Sequence, residues 1–125
     1  MSESNMLKFA EALIHAIEHS DVDTVRKFYA EDAAIWHNND RKTQTPDENM
    51  RVLAWMRKRL SNIEYRVHRL EALPDGFVQE HVLTGKLSDG SVFEMPAAVI
   101  CKVKNGQVTE LREYLDSSQA AALMS

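Results

Sequence analysis

The chain carries a single cysteine, Cys101, which excludes an internal disulfide and fits a reducing compartment. Cys101 sits in an apolar run and reads as a small buried hydrophobe. No stretch has the length needed to span a bilayer. The opening MSESNMLKF is too polar and acidic for a secretory leader. A cytoplasmic location without a membrane partner is therefore expected. Basic charge is also short, with 15 Lys and Arg against 19 Asp and Glu and a net charge of -4. That leaves no basic face for nucleic acid. The densest basic run, RKRL at Arg57–Leu60, reads as the solvated end of a helix. Only 4 glycines are present, and no phosphate-cradling loop, Cys–His metal spacing or GxSxG elbow occurs. Nucleotide-dependent, zinc and serine-hydrolase mechanisms are set aside, and no cofactor or metal is expected.

What remains is one domain over residues 1–125, whose 44% apolar and 27% charged fractions are those of an ordinary globular core. Ser4 or Asn5 can cap a first helix to about Glu18, with Met6, Phe9, Ala10, Leu13, Ala16 and Ile17 on one stripe. His15 and His19, four apart, fall opposite that stripe and read as solvent-facing. Asp21 caps a second helix from Val22 to about Tyr29. Ala33–Asn38 is a short strand and Asn39–Lys42 a polar loop. Thr45-Pro46-Asp47-Glu48 is a capping box with proline at the first helical position. Its helix runs to about Leu60 and buries Met50, Leu53 and Met56, with Asn49 pointing inward near its start.

From Asn62 the period changes to two. Ile63–Leu73, Phe77–Leu87, Val92–Val103 and Gln107–Asp116 read as long strands. Pro74-Asp75-Gly76, Ser88–Ser91 and Lys104-Asn105-Gly106 are the hairpin signals between them. Ser117–Ser125 reads as a closing helix. Helices first and an antiparallel meander afterwards make an α+β layout. A long twisted sheet curls, and helices on its concave side leave a tapering pocket.

Alternation then singles out a few polar groups. On the last strand Thr109, Leu111, Glu113 and Leu115 share a face, placing one carboxylate between two leucines. His81 stands among Phe77, Gln79 and Leu83, and His37 beside Ile35. Each strand thus sends one ionisable group toward the interior. Two uses are open. Glu113 and His81 can form a satisfied buried pair that fixes strand register. Alternatively, Glu113 with His81 or His37 is a proton-transfer set, since a carboxyl and an imidazole can exchange protons near neutral pH. Ile35, Asn49, Gln79 and Leu83 are candidate ligand contacts. Trp36 is a candidate pocket wall, or a core or interface residue because it alternates away from His37. Met50, Met56 and Met95 can fill the core or line an adaptable pocket.

The order of elements, with DVDTVRKFYAEDAAIWHN near the front and GQVTELREYLD at the end, resembles the NTF2-like, cystatin-like α+β cone superfamily. Within it the chain is most similar to the SnoaL-like group, which includes polyketide cyclases. The resemblance implies a curved antiparallel sheet wrapped around three N-terminal helices with a deep pocket. Carried over by position, His37 falls where ketosteroid isomerases place an aspartate base. Their first-helix tyrosine falls on Leu13 and their second acid on or beside Ala97–Ala98. The inward last-strand carboxylate of limonene-epoxide hydrolases matches Glu113. Their first-strand asparagine falls on His37 and their tyrosine on Ile35, and their arginine and aspartate fall near His81 and Leu83. Both of those catalytic sets are incomplete here. SnoaL-like cyclases use an inward carboxylate with a nearby histidine, a role Glu113 with His81 or His37 can imitate.

Two functional classes follow. One is a cofactor-independent isomerase or cyclase acting on a small, largely apolar, oxygenated compound. The other is a non-catalytic ligand-binding or dimerising protein of the same shape. Three helices cannot cover both faces of four long strands. A homodimer through the outer sheet face, bearing Arg112, Tyr114 and Asp116, is therefore expected, as the resemblance also implies.

Overall fold

The structure, a computed structural model, describes residues 1–124. Helix α1 (Glu3–His19) is followed by a short helix α2 (Val22–Arg26) and strand β1 (Tyr29–His37). A two-residue strand β2 (Thr43–Gln44) leads into helix α3 (Pro46–Arg59). Strands β3 (Ser61–Leu73), β4 (Gly76–Lys86), β5 (Val92–Lys104) and β6 (Gln107–Leu115) form the meander. Helix α4 (Ser117–Met124) closes the chain, and Ser125, read as its last residue, lies outside the described residues. The sheet has six strands in the order β2-β1-β6-β5-β4-β3. No helix among the described residues is long and apolar enough to cross a membrane.

Most local expectations hold, and the departures have physical causes. α1 starts earlier than expected because Ser2 caps it, accepting from Asn5 N–H. The Thr45–Glu48 capping box is reciprocal, with each side chain accepting from the other residue's backbone N–H. α2 ends at Arg26 rather than near Tyr29, because sheet pairing takes over. Val108 N donates to Phe28 O at 2.8 Å, and Tyr29 pairs with Val108. β1 therefore begins four residues sooner than its local pattern indicates. Its pairing with β6 is parallel, so the sheet is antiparallel only from β6 to β3 and at the β1–β2 edge.

Register shifts in β1–β6, β3–β4 and β5–β6 bend the sheet. The concave face carries the apolar face of each strand, and α1 lies across β3 while α3 lies across β1. Met6, Ala10, Leu13 and Ala16 of α1 pack with Met50 and Leu53 of α3 against Ile35, Phe77, Val99, Cys101 and Leu111. A second cluster joins Leu60, Leu83, Phe93, Met95 and Leu123, with α4 closing it over Trp55 and Leu115. Gly76 is demanded by close approach, since a Cβ there would lie 1.8 Å from Cys101 O. Between the helices and the sheet is a cavity of about 710 Å³ lined from both clusters.

Candidate active site

The concave face orders its side chains in rows across the strands. One row reads Gln79 on β4, Val99 on β5, Glu113 on β6 and His37 on β1. The last two meet: His37 Nε2 lies 2.9 Å from Glu113 Oε1, with the side chains 15% and 17% exposed. This pair depends on the parallel β1–β6 register, which Asn38 clamps from the next position. Its backbone N donates to Glu113 O at 3.1 Å, and its side chain both accepts from Leu115 N and donates to Leu115 O. The exposed turn beyond it brings Asp40 to the cavity mouth.

Electrostatics follows from that geometry. Burial of the His37 ring opposes its charged form. The hydrogen bond to Glu113 and the charges of Glu113 and Asp40 outweigh burial, so His37 keeps its proton to higher pH than an ordinary histidine. His81 behaves oppositely: burial dominates and holds it neutral to lower pH, although the Glu113 charge pulls the other way. Burial raises Tyr29, Tyr65 and Cys101 far above their usual ranges, and Glu113 adds to each. Near neutrality all three are therefore uncharged.

The candidate residues divide as follows. Glu113, His37, His81, Ile35, Leu83 and Asn49 all line the cavity, as do Met50, Met56 and Met95. Asn49 donates to Gln44 Oε1 at 3.0 Å near the mouth. Of the two histidines left open as partners of Glu113, His37 is the one that makes the contact. His81 Nδ1 instead contacts Gln79 Nε2 at 3.0 Å. Gln79, proposed as a ligand contact, is 1% exposed, is not among the lining residues and reaches the cavity only through His81. Trp36 is corrected outright as a pocket wall. Period two turns it to the outer face, where Arg112 stacks on it at 4.1 Å and Tyr114 meets it edge-on at 5.3 Å. His15 and His19 are exposed on α1, as expected. Among the described residues no cluster of three or more His, Cys, Asp or Glu is placed to hold a metal ion.

Sequence reasoning missed Tyr29, Tyr65, Trp55 and Asp40, which also line the cavity. Tyr65 was legible, since it alternates with Ile63 on the inner face of β3. Tyr29 was hidden by a helical pattern that ends before it. Trp55 falls beside the Met50, Leu53 and Met56 stripe of α3 rather than on it, and nothing local marks it as lining a cavity.

Known proteins share this architecture. A protein with a ketosteroid isomerase-like fold from Catenulispora acidiphila, solved with trimethylamine, superposes with a TM-score of 0.80 at 16% identity, covering 93% of this chain and 91% of its own. A protein described as a SnoaL-like polyketide cyclase from Shewanella putrefaciens gives 0.80 at 15% identity, covering 96% of each chain. An epoxide hydrolase of limonene-epoxide hydrolase type from M. tuberculosis gives 0.79 at 18% identity, covering 97% of this chain and 90% of its own. At such identities the likeness concerns the fold alone. No match to a curated protein sequence was found. Residues 10–111, most of the chain, match the SnoaL-like domain family. With that match spanning both the helices and the sheet that build the cavity, the chain belongs to the SnoaL-like domain family.

Proposed function

We propose that the protein is a cofactor-independent acid–base catalyst, of isomerase or cyclase type, acting on a small, largely apolar compound that carries a carbonyl group. The observation that carries this reading is the His37–Glu113 contact of 2.9 Å inside a cavity of about 710 Å³. A carboxylate held by a partner on one oxygen still has lone pairs with which to accept a proton. Leu13, Ile17, Ile35, Leu83 and Met95 give the cavity apolar walls that favour an uncharged ligand.

In this reading Glu113 takes a proton from the carbon beside the carbonyl, and the electron pair moves onto the carbonyl oxygen as an enolate. His37 stays protonated and hydrogen-bonded, holding Glu113 in place through the transfer. Where the compound also carries a carbon–carbon double bond next to that carbon, the enolate extends over it, and return of the proton to the far end of the double bond completes an isomerisation. If the enolate carbon instead attacks a second carbonyl in the same molecule, a carbon–carbon bond forms. The new alkoxide then takes the proton from Glu113, which completes a cyclisation. Polyketide cyclases and epoxide hydrolases among proteins of this fold support a chemical use of the cavity, without assigning the substrate.

The test is exchange of α-protons in D2O over a panel of cyclic ketones and 1,3-diketones, followed by NMR. Wild-type protein should accelerate exchange for at least one member, and Glu113→Gln should lose roughly 10²-fold or more of that acceleration. Unchanged exchange in Glu113→Gln would end the catalytic reading. Binding across the panel with no exchange would favour a non-catalytic ligand-binding protein instead.

A further inference from the structure

The buried Gln79–His81 pair carries an inference about what the cavity recognises. His81 is 2% exposed and Gln79 1% exposed. Among the described residues His81 Nε2 and Gln79 Oε1 are buried without a hydrogen-bond partner. Gln79 Nε2 lies 3.0 Å from His81 Nδ1. As the Gln79 amide is placed, its nitrogen, which has no lone pair to offer, donates and Nδ1 accepts. In a neutral imidazole the proton then sits on Nε2, the unpartnered atom. Tyr65 stands edge-on against the ring, with centroids 5.0 Å apart, and restricts its rotation.

We propose that His81 anchors a carbonyl oxygen of the ligand by donating from Nε2, and that Gln79 is the positioning residue that sets this tautomer. A buried N–H left unmade is costly, and a ligand acceptor would relieve it. The placement suits the site. His81 lies opposite Ala97, and Glu113 opposite Val99, so two small side chains separate them on the concave face. A ligand lying over Val99 can reach the His81 anchor with its oxygen and Glu113 with an adjacent carbon. Burial keeps His81 neutral, which favours an uncharged carbonyl over a carboxylate as the preferred group. This inference rests on the reading of the cavity as a ligand site and not on proton transfer, so the two can fail separately.

The test uses the whole protein and two probes of the same shape, 2-tetralone and tetralin, compared by calorimetry. Wild type should bind the ketone about tenfold or more tighter than the hydrocarbon. His81→Phe should bring the two affinities within about threefold of each other, by loss of that one hydrogen bond. Nitrogen-15 NMR of the free wild-type protein should show His81 protonated at Nε2 and bare at Nδ1. Gln79→Met should disturb that tautomer while the protein stays folded. A proton on Nδ1 in wild type would make Nε2 an acceptor and overturn the proposal. So would wild type showing no preference for the ketone, as when a retained water holds Nε2 or neither probe binds. These two wild-type measurements decide the matter even if His81→Phe fails to fold.

Discussion

Replacing Glu113 by Gln keeps the side-chain shape and an acceptor for His37 Nε2 but removes the charge. The wild-type contact is 2.9 Å long between groups 15% and 17% exposed, so solvent screens it only in part. A hydrogen bond involving an ionised group contributes about 1.5–3 kcal/mol and a neutral one about 0.5–1.5 kcal/mol. The difference, about 1–1.5 kcal/mol, is offset by no longer desolvating a carboxylate. A net loss of about 0.5–1 kcal/mol is therefore expected where the pair is fully charged. The pH dependence has a definite sign. His37 is raised in the folded protein, chiefly because Glu113 and Asp40 outweigh burial. Its contribution is thus complete below the unfolded histidine value of about 6.5 and is lost as pH rises through the folded value. Urea unfolding of both proteins from about pH 5.5 to 8.5 should show the stability gap shrinking as pH increases. The His37 ring resonances should titrate at lower pH in Glu113→Gln than in wild type. A gap that is constant or widens toward alkaline pH would refute the ion-pair reasoning, as would an unmoved His37 titration.

Two further outcomes are expected. The outer face groups Trp36, Arg112, Ile100 and Tyr114 on neighbouring strands, with Ile100 and Tyr114 each 42% exposed. We expect this mixed aromatic and charged patch to join two copies of the chain. Light scattering should then report a dimer that Tyr114→Glu converts to monomer, and a monomeric wild type at micromolar concentration would remove the idea. Gly76→Ala should destabilise the protein by about 1–3 kcal/mol or more in urea unfolding, because the new Cβ would lie 1.8 Å from Cys101 O. An unchanged unfolding midpoint would mean that β4 and β5 can separate there without penalty.

Face assignments were readable wherever the backbone is regular. Period two put Ile35 and His37 on one side of β1 and Trp36 on the other, and the structure agrees. The same alternation put Gln79 and His81 side by side, although only the side-chain geometry shows that they bond. Caps and hairpins were equally local. The Thr45–Glu48 box and the turns before Phe77, Val92 and Gln107 depend on a few adjacent residues whose torsions and hydrogen bonds are set within the segment.

The amino-acid order by itself determined the α+β layout, the start of α3, the four long strands and the inward turn of Glu113. It did not decide which histidine meets that carboxylate. His37 and Glu113 are joined by a parallel pairing of strands from opposite ends of the chain. That register is selected by the whole sheet, including the Asn38 clamp on Leu115. The same pairing ends α2 at Arg26 and draws Tyr29 into β1 beside Val108. Side-chain direction follows from local backbone period, whereas the partner across a non-local strand pair is set only when the chain closes on itself and the buried polar groups of both strands are satisfied together.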